Sequence, residues 1–129
     1  GVDLVKPAAL LEAAYDDELG VTAAFNLNLL NHLNRLLGAD FAVRDWRHVA
    51  LFNDAESRIE MHLEARDAQQ VRWPDGERRF AAGERIHTEN SYKYSIEEFQ
   101  ALARSAGWTP AHSWTDADRL FSLHLLRLD

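Results

Sequence analysis

The hydrophobic period changes partway along this chain, and that change dictates a layered mixture of helix and strand. From Val21 to Leu37, the apolar residues Phe25, Leu29, Leu30, Leu33, Leu36 and Leu37 recur every three or four positions, the spacing of one helix face. Asn28, Asn31, Asn34 and Arg35 fall opposite, and Gly38 is placed to end the helix in a left-handed cap. Asn26 is the exception, an amide one turn before Leu30 on the apolar side, where a core asparagine needs its own hydrogen-bond partners. Farther on, Arg58, Glu60, His62 and Glu64 alternate with Ile59, Met61, Leu63 and Ala65, the two-residue period of a half-buried strand.

Turn chemistry divides the rest. Pro74-Asp75-Gly76 separates Gln69–Trp73 from residues 77–82, so these two runs are expected to pair as an antiparallel hairpin in a small β layer. Ser95 and Glu98 have capping-box spacing for a helix from Ile96 to about Ala106, closed by Gly107. Thr109–Trp114 and Leu120–Leu128 read as strands, the last apolar enough to lie inside a sheet. At the start, Val2–Val5 is a short apolar strand, and Pro7 opens a helix reaching about Tyr15. Strand followed at once by helix is half of an α/β unit, so the chain is expected to be the C-terminal portion of something longer.

With 129 residues, 47% of them hydrophobic, one domain's worth of core can be buried. A net charge of −7 without a basic stripe excludes a nucleic-acid footprint. No apolar run approaches membrane-spanning length, and the N-terminus lacks the order of a signal peptide. The absence of cysteine removes disulfides, thiolate nucleophiles and zinc–cysteine sites, in keeping with a soluble cytoplasmic protein.

The chemistry concentrates in IHTENSYKYS, residues 86–95. In an unbroken strand, His87, Glu89 and Ser91 share one face, with Thr88, Asn90 and Tyr92 on the other. Neither face is ordinary core, so the segment is expected at a sheet edge or along a cavity whose ligand supplies the missing partners. Glu60 with His62 and His87 with Glu89 have the makings of a two-histidine, two-carboxylate metal set. The spacing is generic, however, and solvated strand faces are the expected reading, with no metal. No Gly-x-Ser-x-Gly elbow exists. The adjacent acids Asp16, Asp17 and Glu18 are expected to shape the turn before a helix N-terminus rather than to act as a catalytic pair. Trp46, Trp73, Trp108 and Trp114 follow no period, which suits core or rim positions.

In order along the chain, VDLVK, AYDDELGVTAAFNLNLLNHLNRLLGADF, RIEMHL, GERIHTENSYKYS and AGWTPAHSWTD resemble the C-terminal part of the histidine-specific, S-adenosylmethionine-dependent methyltransferases. The resemblance covers essentially the whole chain. It implies an α+β fragment of a longer α/β enzyme. Residues 1–6 would be an end-of-core strand, 7–94 a substrate-binding domain with a small antiparallel β layer and helices, and 95–129 the last helix and two strands of a Rossmann-like core. The strands at 2–5, 109–114 and 120–128 would share one sheet, the last running antiparallel between the others.

For function, the resemblance implies methylation of the α-amino group of L-histidine to trimethylhistidine, a step toward ergothioneine, with a small-molecule substrate and no nucleic-acid or membrane partner. Tyr15 matches the family tyrosine that bonds the substrate carboxylate, Met61 the methionine beside the imidazole, and Glu89 with Ser91 the pair that grips the ring. Thr22 and Phe25 line the same pocket, and Asn90 falls at a position that the family varies. No catalytic base is implied. The glycine-rich first turn and the acidic ribose-binding residue of a nucleotide site are missing from the sequence, so S-adenosylmethionine would be bound mainly by an absent N-terminal half, and this fragment alone would be inactive. The other reading is a stand-alone module that binds an amino acid or a metal.

Overall fold

The computed structural model describes residues 1–128; the expected last segment runs to Asp129, which lies outside the described residues. Its elements, in chain order, are β1 (Val2–Asp3), α1 (Ala8–Tyr15), α2 (Val21–Leu37), β2 (Trp46–Asn53), β3 (Arg58–Ala65), β4 (Gln69–Trp73), β5 (Gly76–Phe80), β6 (Arg85–Tyr92), α3 (Ile96–Ser105), β7 (Trp108–Thr115) and β8 (Phe121–Leu128), with a short 3-10 turn at Val43–Asp45 before β2. The strands form small antiparallel sheets ordered β1-β8-β7, β2-β3-β6 and β4-β5. With three helices, this is an α+β architecture.

The local signals act where the spacing places them. Asp17 caps α2, its carboxylate oxygens accepting the Val21 and Thr22 amides at 2.9 and 2.8 Å, and Gly38 closes that helix at φ 64°. Ser95 and Glu98 form a complete capping box on α3. Trp73 pairs with Gly76 across a two-residue loop, the tight hairpin expected from Pro74-Asp75. β8 runs antiparallel between β1 and β7, as expected. β2 is a strand that the sequence does not announce, because Trp46–Asn53 carries no strict alternation.

α1 and α2 pack chiefly over β2 and β3. Cross-strand partners share a face, so Trp46, His48, Ala50 and Phe52 of β2 join Ala65, Leu63, Met61 and Ile59 of β3 beneath the helices. Leu30, Trp46, Leu63, Ala65, Val71 and Phe80 make one core cluster, and Leu11, Ile59 and Met61 another flanked by Tyr15 and Phe52.

Two expectations need correction. The apolar stripe of α2 is wider than the face it buries: Asn26 and Leu30 are enclosed, whereas Phe25 and Leu36 are 68% and 73% exposed. The polar side of β3 is also not a solvated face. Glu60, His62 and Glu64 are buried because β3 is the middle strand and long arginines from its neighbourhood roof it. Arg47 and Arg85 both bond Glu64, and Arg58 bonds Glu60.

Candidate functional site

β6 is an edge strand, as its two polar faces suggested. Its pairing with β3 is interrupted once: Met61 lies opposite Glu89 and His62 opposite His87, leaving Thr88 as a bulge whose hydroxyl donates to the Met61 carbonyl at 2.9 Å. This overturns the expectation of a shared face for His87, Glu89 and Ser91. His87 goes with His62 and Glu60 to the arginine-roofed face, while Glu89 and Ser91 go with Met61 and Ile59 to the helix face.

On the helix face, Glu89 lines a groove with Thr88, Phe25, Asn26, Leu29 and His32 between β6 and α2. Two positions along, Ser91 meets α1: its Oγ lies 2.7 Å from the Tyr15 hydroxyl. Met61, 2% exposed, belongs to the cluster that Tyr15 packs against and lies opposite Glu89 across the two strands. Glu89 and Ser91 are thus roughly 7 Å apart along one strand face. Thr22 sits in the first turn of α2, tied by its amide to Asp17, and is not among the residues lining the groove. Asn90 is exposed and pairs with Glu60 on the other face.

Sequence reasoning missed two residues. His48 bridges the helices to the sheet, with Nε2 2.8 Å from the Tyr15 carbonyl and Nδ1 3.0 Å from Asn26 Nδ2. A carbonyl only accepts and an amide nitrogen only donates, so the ring carries its proton on Nε2. Asn26 also donates to the His62 carbonyl at 3.1 Å, the satisfied core asparagine that its place among leucines demanded. The second is Lys93, fully buried, with Nζ 2.9 Å from the Tyr15 hydroxyl, 2.7 Å from Ser91 Oγ and 2.9 Å from Asp3 Oδ2. A polar run between an edge strand and a capped helix offers no signal for such burial. It arises because Tyr94 bridges Leu4, which brings β1 alongside the end of β6.

On the opposite face, Glu60, His62 and His87 bring one ligand atom each within 4.8 Å of one another. Glu89, part of the metal set considered from spacing, is turned away by the bulge. The Glu60 carboxylate is held at a pKa of about 2 by the Asn53 amide and then by Arg58, so its charge is already engaged. Burial pushes the His62 pKa down, and the His62 and His87 rings stack at 4.5 Å. Asp17, bonded by the Thr22 and Val21 amides, has its pKa drawn down to about 2, which is the behaviour of a cap.

The glycines speak to nucleotide binding. Gly20 and Gly38 flank α2, Gly76 opens β5, and Gly83 and Gly107 lie in turns with φ of 78° and 82°. None occupies a turn from a strand into a helix, so the described residues do not form the glycine-rich cradle of a nucleotide cofactor. No helix among them is long and apolar enough to cross a membrane.

The model of a family described as histidine-specific, S-adenosylmethionine-dependent methyltransferase matches residues 1–128. The chain is 50% identical over 127 residues to a histidine N-alpha-methyltransferase of Mycolicibacterium smegmatis, covering 97% of this chain and 40% of that protein. It is 47% identical over 127 residues to a histidine N-alpha-methyltransferase of Mycobacterium tuberculosis, with the same shares. It is also 32% identical over 130 residues to ergothioneine biosynthesis protein 1 of Neurospora crassa, covering 98% of this chain and 14% of that one. The chain therefore spans 40% of the length of the two bacterial relatives. By the extent of these matches, the chain belongs to the family of histidine-specific, S-adenosylmethionine-dependent methyltransferases.

Proposed function

We propose that this chain is the substrate-binding part of an enzyme that methylates the α-amino group of L-histidine to trimethylhistidine. The observation that carries the reading is that a single β-bulge turns Glu89 and Ser91 to the face that bears Met61 and Tyr15. Glu89 accepts an imidazole N–H in a charge-assisted bond, and a side chain without a ring donor would leave that carboxylate unpaired. Ser91 assists at the ring, the Met61 thioether packs against it, and the Tyr15 hydroxyl donates to the substrate carboxylate. Phe25 closes the groove from α2, with Thr22 one turn earlier.

In this reading the chain's residues hold the amine in line and keep water from it, which is most of what a displacement at a methyl group needs from its surroundings. None serves as a general base. S-adenosylmethionine is bound mainly by residues outside this chain, in keeping with the placement of the glycines, and the β1-β8-β7 sheet with α3 is the end of a Rossmann-like core. Residues 1–6, 7–94 and 95–129 then divide as core strand, substrate domain and core.

Calorimetric titration tests the site: L-histidine binds the chain, and Glu89→Ala weakens binding by about tenfold or more, the worth of one charge-assisted bond. Equal binding by both proteins would remove Glu89 from the site. With S-adenosylmethionine and histidine both added, the chain alone forms no trimethylhistidine; product would show that it holds the cofactor itself.

A further inference from the structure

The ammonium of Lys93 has no exposure to solvent, and a charge buried so completely persists only if its surroundings answer it. Its three N–H groups are spent on the Tyr15 hydroxyl, Ser91 Oγ and Asp3 Oδ2 at 2.9, 2.7 and 2.9 Å. The stem is pinned at the backbone, where the Lys93 amide donates to the Ser57 carbonyl at 2.7 Å and the Ser57 hydroxyl donates to the Lys93 carbonyl at 2.8 Å. Asp3 does not answer Lys93 alone, because Lys6 Nζ lies 2.5 Å from its other oxygen. Two ammonium groups thus share one carboxylate, and the cluster carries a surplus positive charge.

The proton count at the two hydroxyls is equally restrictive. Both oxygens accept from Lys93, and across the 2.7 Å between them one hydroxyl donates to the other. Of their two hydroxyl hydrogens, one remains free to point at a ligand. It sits on an oxygen that is polarised by a buried cation, which strengthens it as a donor.

We infer that Lys93 is a positioning residue for the anionic end of the ligand: it acts through the Tyr15 hydroxyl, toward which Ser91 donates while keeping a lone pair for the ring, and so presents one directed O–H donor within a cationic cluster that a carboxylate completes. This rests on the reading that Tyr15 and Ser91 line an amino-acid site. Lys93 has no donor left for the ligand itself, so its contribution is to discrimination between carboxylate-bearing and carboxylate-free ligands rather than to grip on the ring.

L-Histidine and histamine, which share the imidazole and differ in the carboxylate, separate that role from a structural one. Titration of the chain should show histidine preferred. In Lys93→Met, which keeps the stem and removes the charge, histidine binding should fall by about tenfold while histamine binding changes by less than about twofold, so the preference collapses. Thermal melting reports whether that variant folds. Asp3→Asn provides a second arm of opposite sign, since it removes the neutralising carboxylate and should widen the preference. An unchanged histidine-to-histamine ratio in folded Lys93→Met, or a narrowed ratio in Asp3→Asn, overturns the inference and leaves the site reading standing. Failure of the unmodified chain to bind histidine overturns both.

Discussion

The imidazoles of His62 and His87 stack at 4.5 Å on the face of the sheet opposite Glu89, although His87 and Glu89 are only two residues apart. The extra residue between them, Thr88, makes this possible: its hydroxyl bonds the Met61 carbonyl and so pins the bulge to the middle strand. Thr88→Val, which keeps shape and removes that donor, should destabilise the chain by about 1 kcal/mol and weaken histidine binding through a less fixed Glu89. Urea denaturation and calorimetry check the two effects separately.

The two sides of α2 differ sharply in burial. Leu30 is fully enclosed with Trp46 and Leu63, so Leu30→Ala should cost about 3 kcal/mol. Leu36, on the same apolar stripe in sequence, is 73% exposed, and Leu36→Ala should stay within about 0.5 kcal/mol. Similar costs at the two positions in urea melts would show that the helix is rotated from the orientation described.

Burial depresses the pKa of His62 in the folded chain, so between its ordinary value near 6.5 and the lower folded value the unfolded chain binds more protons. The His62 contribution to stability is therefore intact above pH 6.5 and is lost as the pH falls below that. Comparing urea midpoints at pH 7.5 and 5.5, His62→Gln should show a shallower decline than the unmodified chain.

Asp17 shows a dependence of the same sign in a more acidic window. Its folded pKa is about 2, below the usual 3.8, because the Thr22 and Val21 amides donate to its charged form. Its capping contribution is present above pH 3.8 and disappears as the pH falls toward 2. Asp17→Ala should lower the melting temperature at pH 7, while Asp17→Asn, which still caps, should retain most of it.

Much of the architecture could be read from short-range pattern. The 3.6-residue spacing of the α2 leucines, the Ser95–Glu98 box, the Pro74-Asp75 turn and the alternation in β3 each act within a few residues, where local sterics and hydrogen bonding decide the outcome. The motifs that carry the family resemblance were legible for the same reason, as contiguous runs. β2, an edge strand that pairs with β3, is not announced by its residues because a strand packed under helices on one face needs no strict polar alternation.

Residue order alone determined most of the elements, β2 apart, and which functional groups the chain carries: Tyr15, Met61, Glu89 and Ser91 are recognisable by type and by motif. Only the tertiary structure decided which of them share a face. An added residue in one strand reverses the side on which every later side chain points, and whether a bulge sits at Thr88 depends on pairing with β3, far along the chain. The burial of Lys93 is likewise a long-range event, created when Leu4 and Tyr94 come together across ninety residues, a distance over which periodicity carries no information.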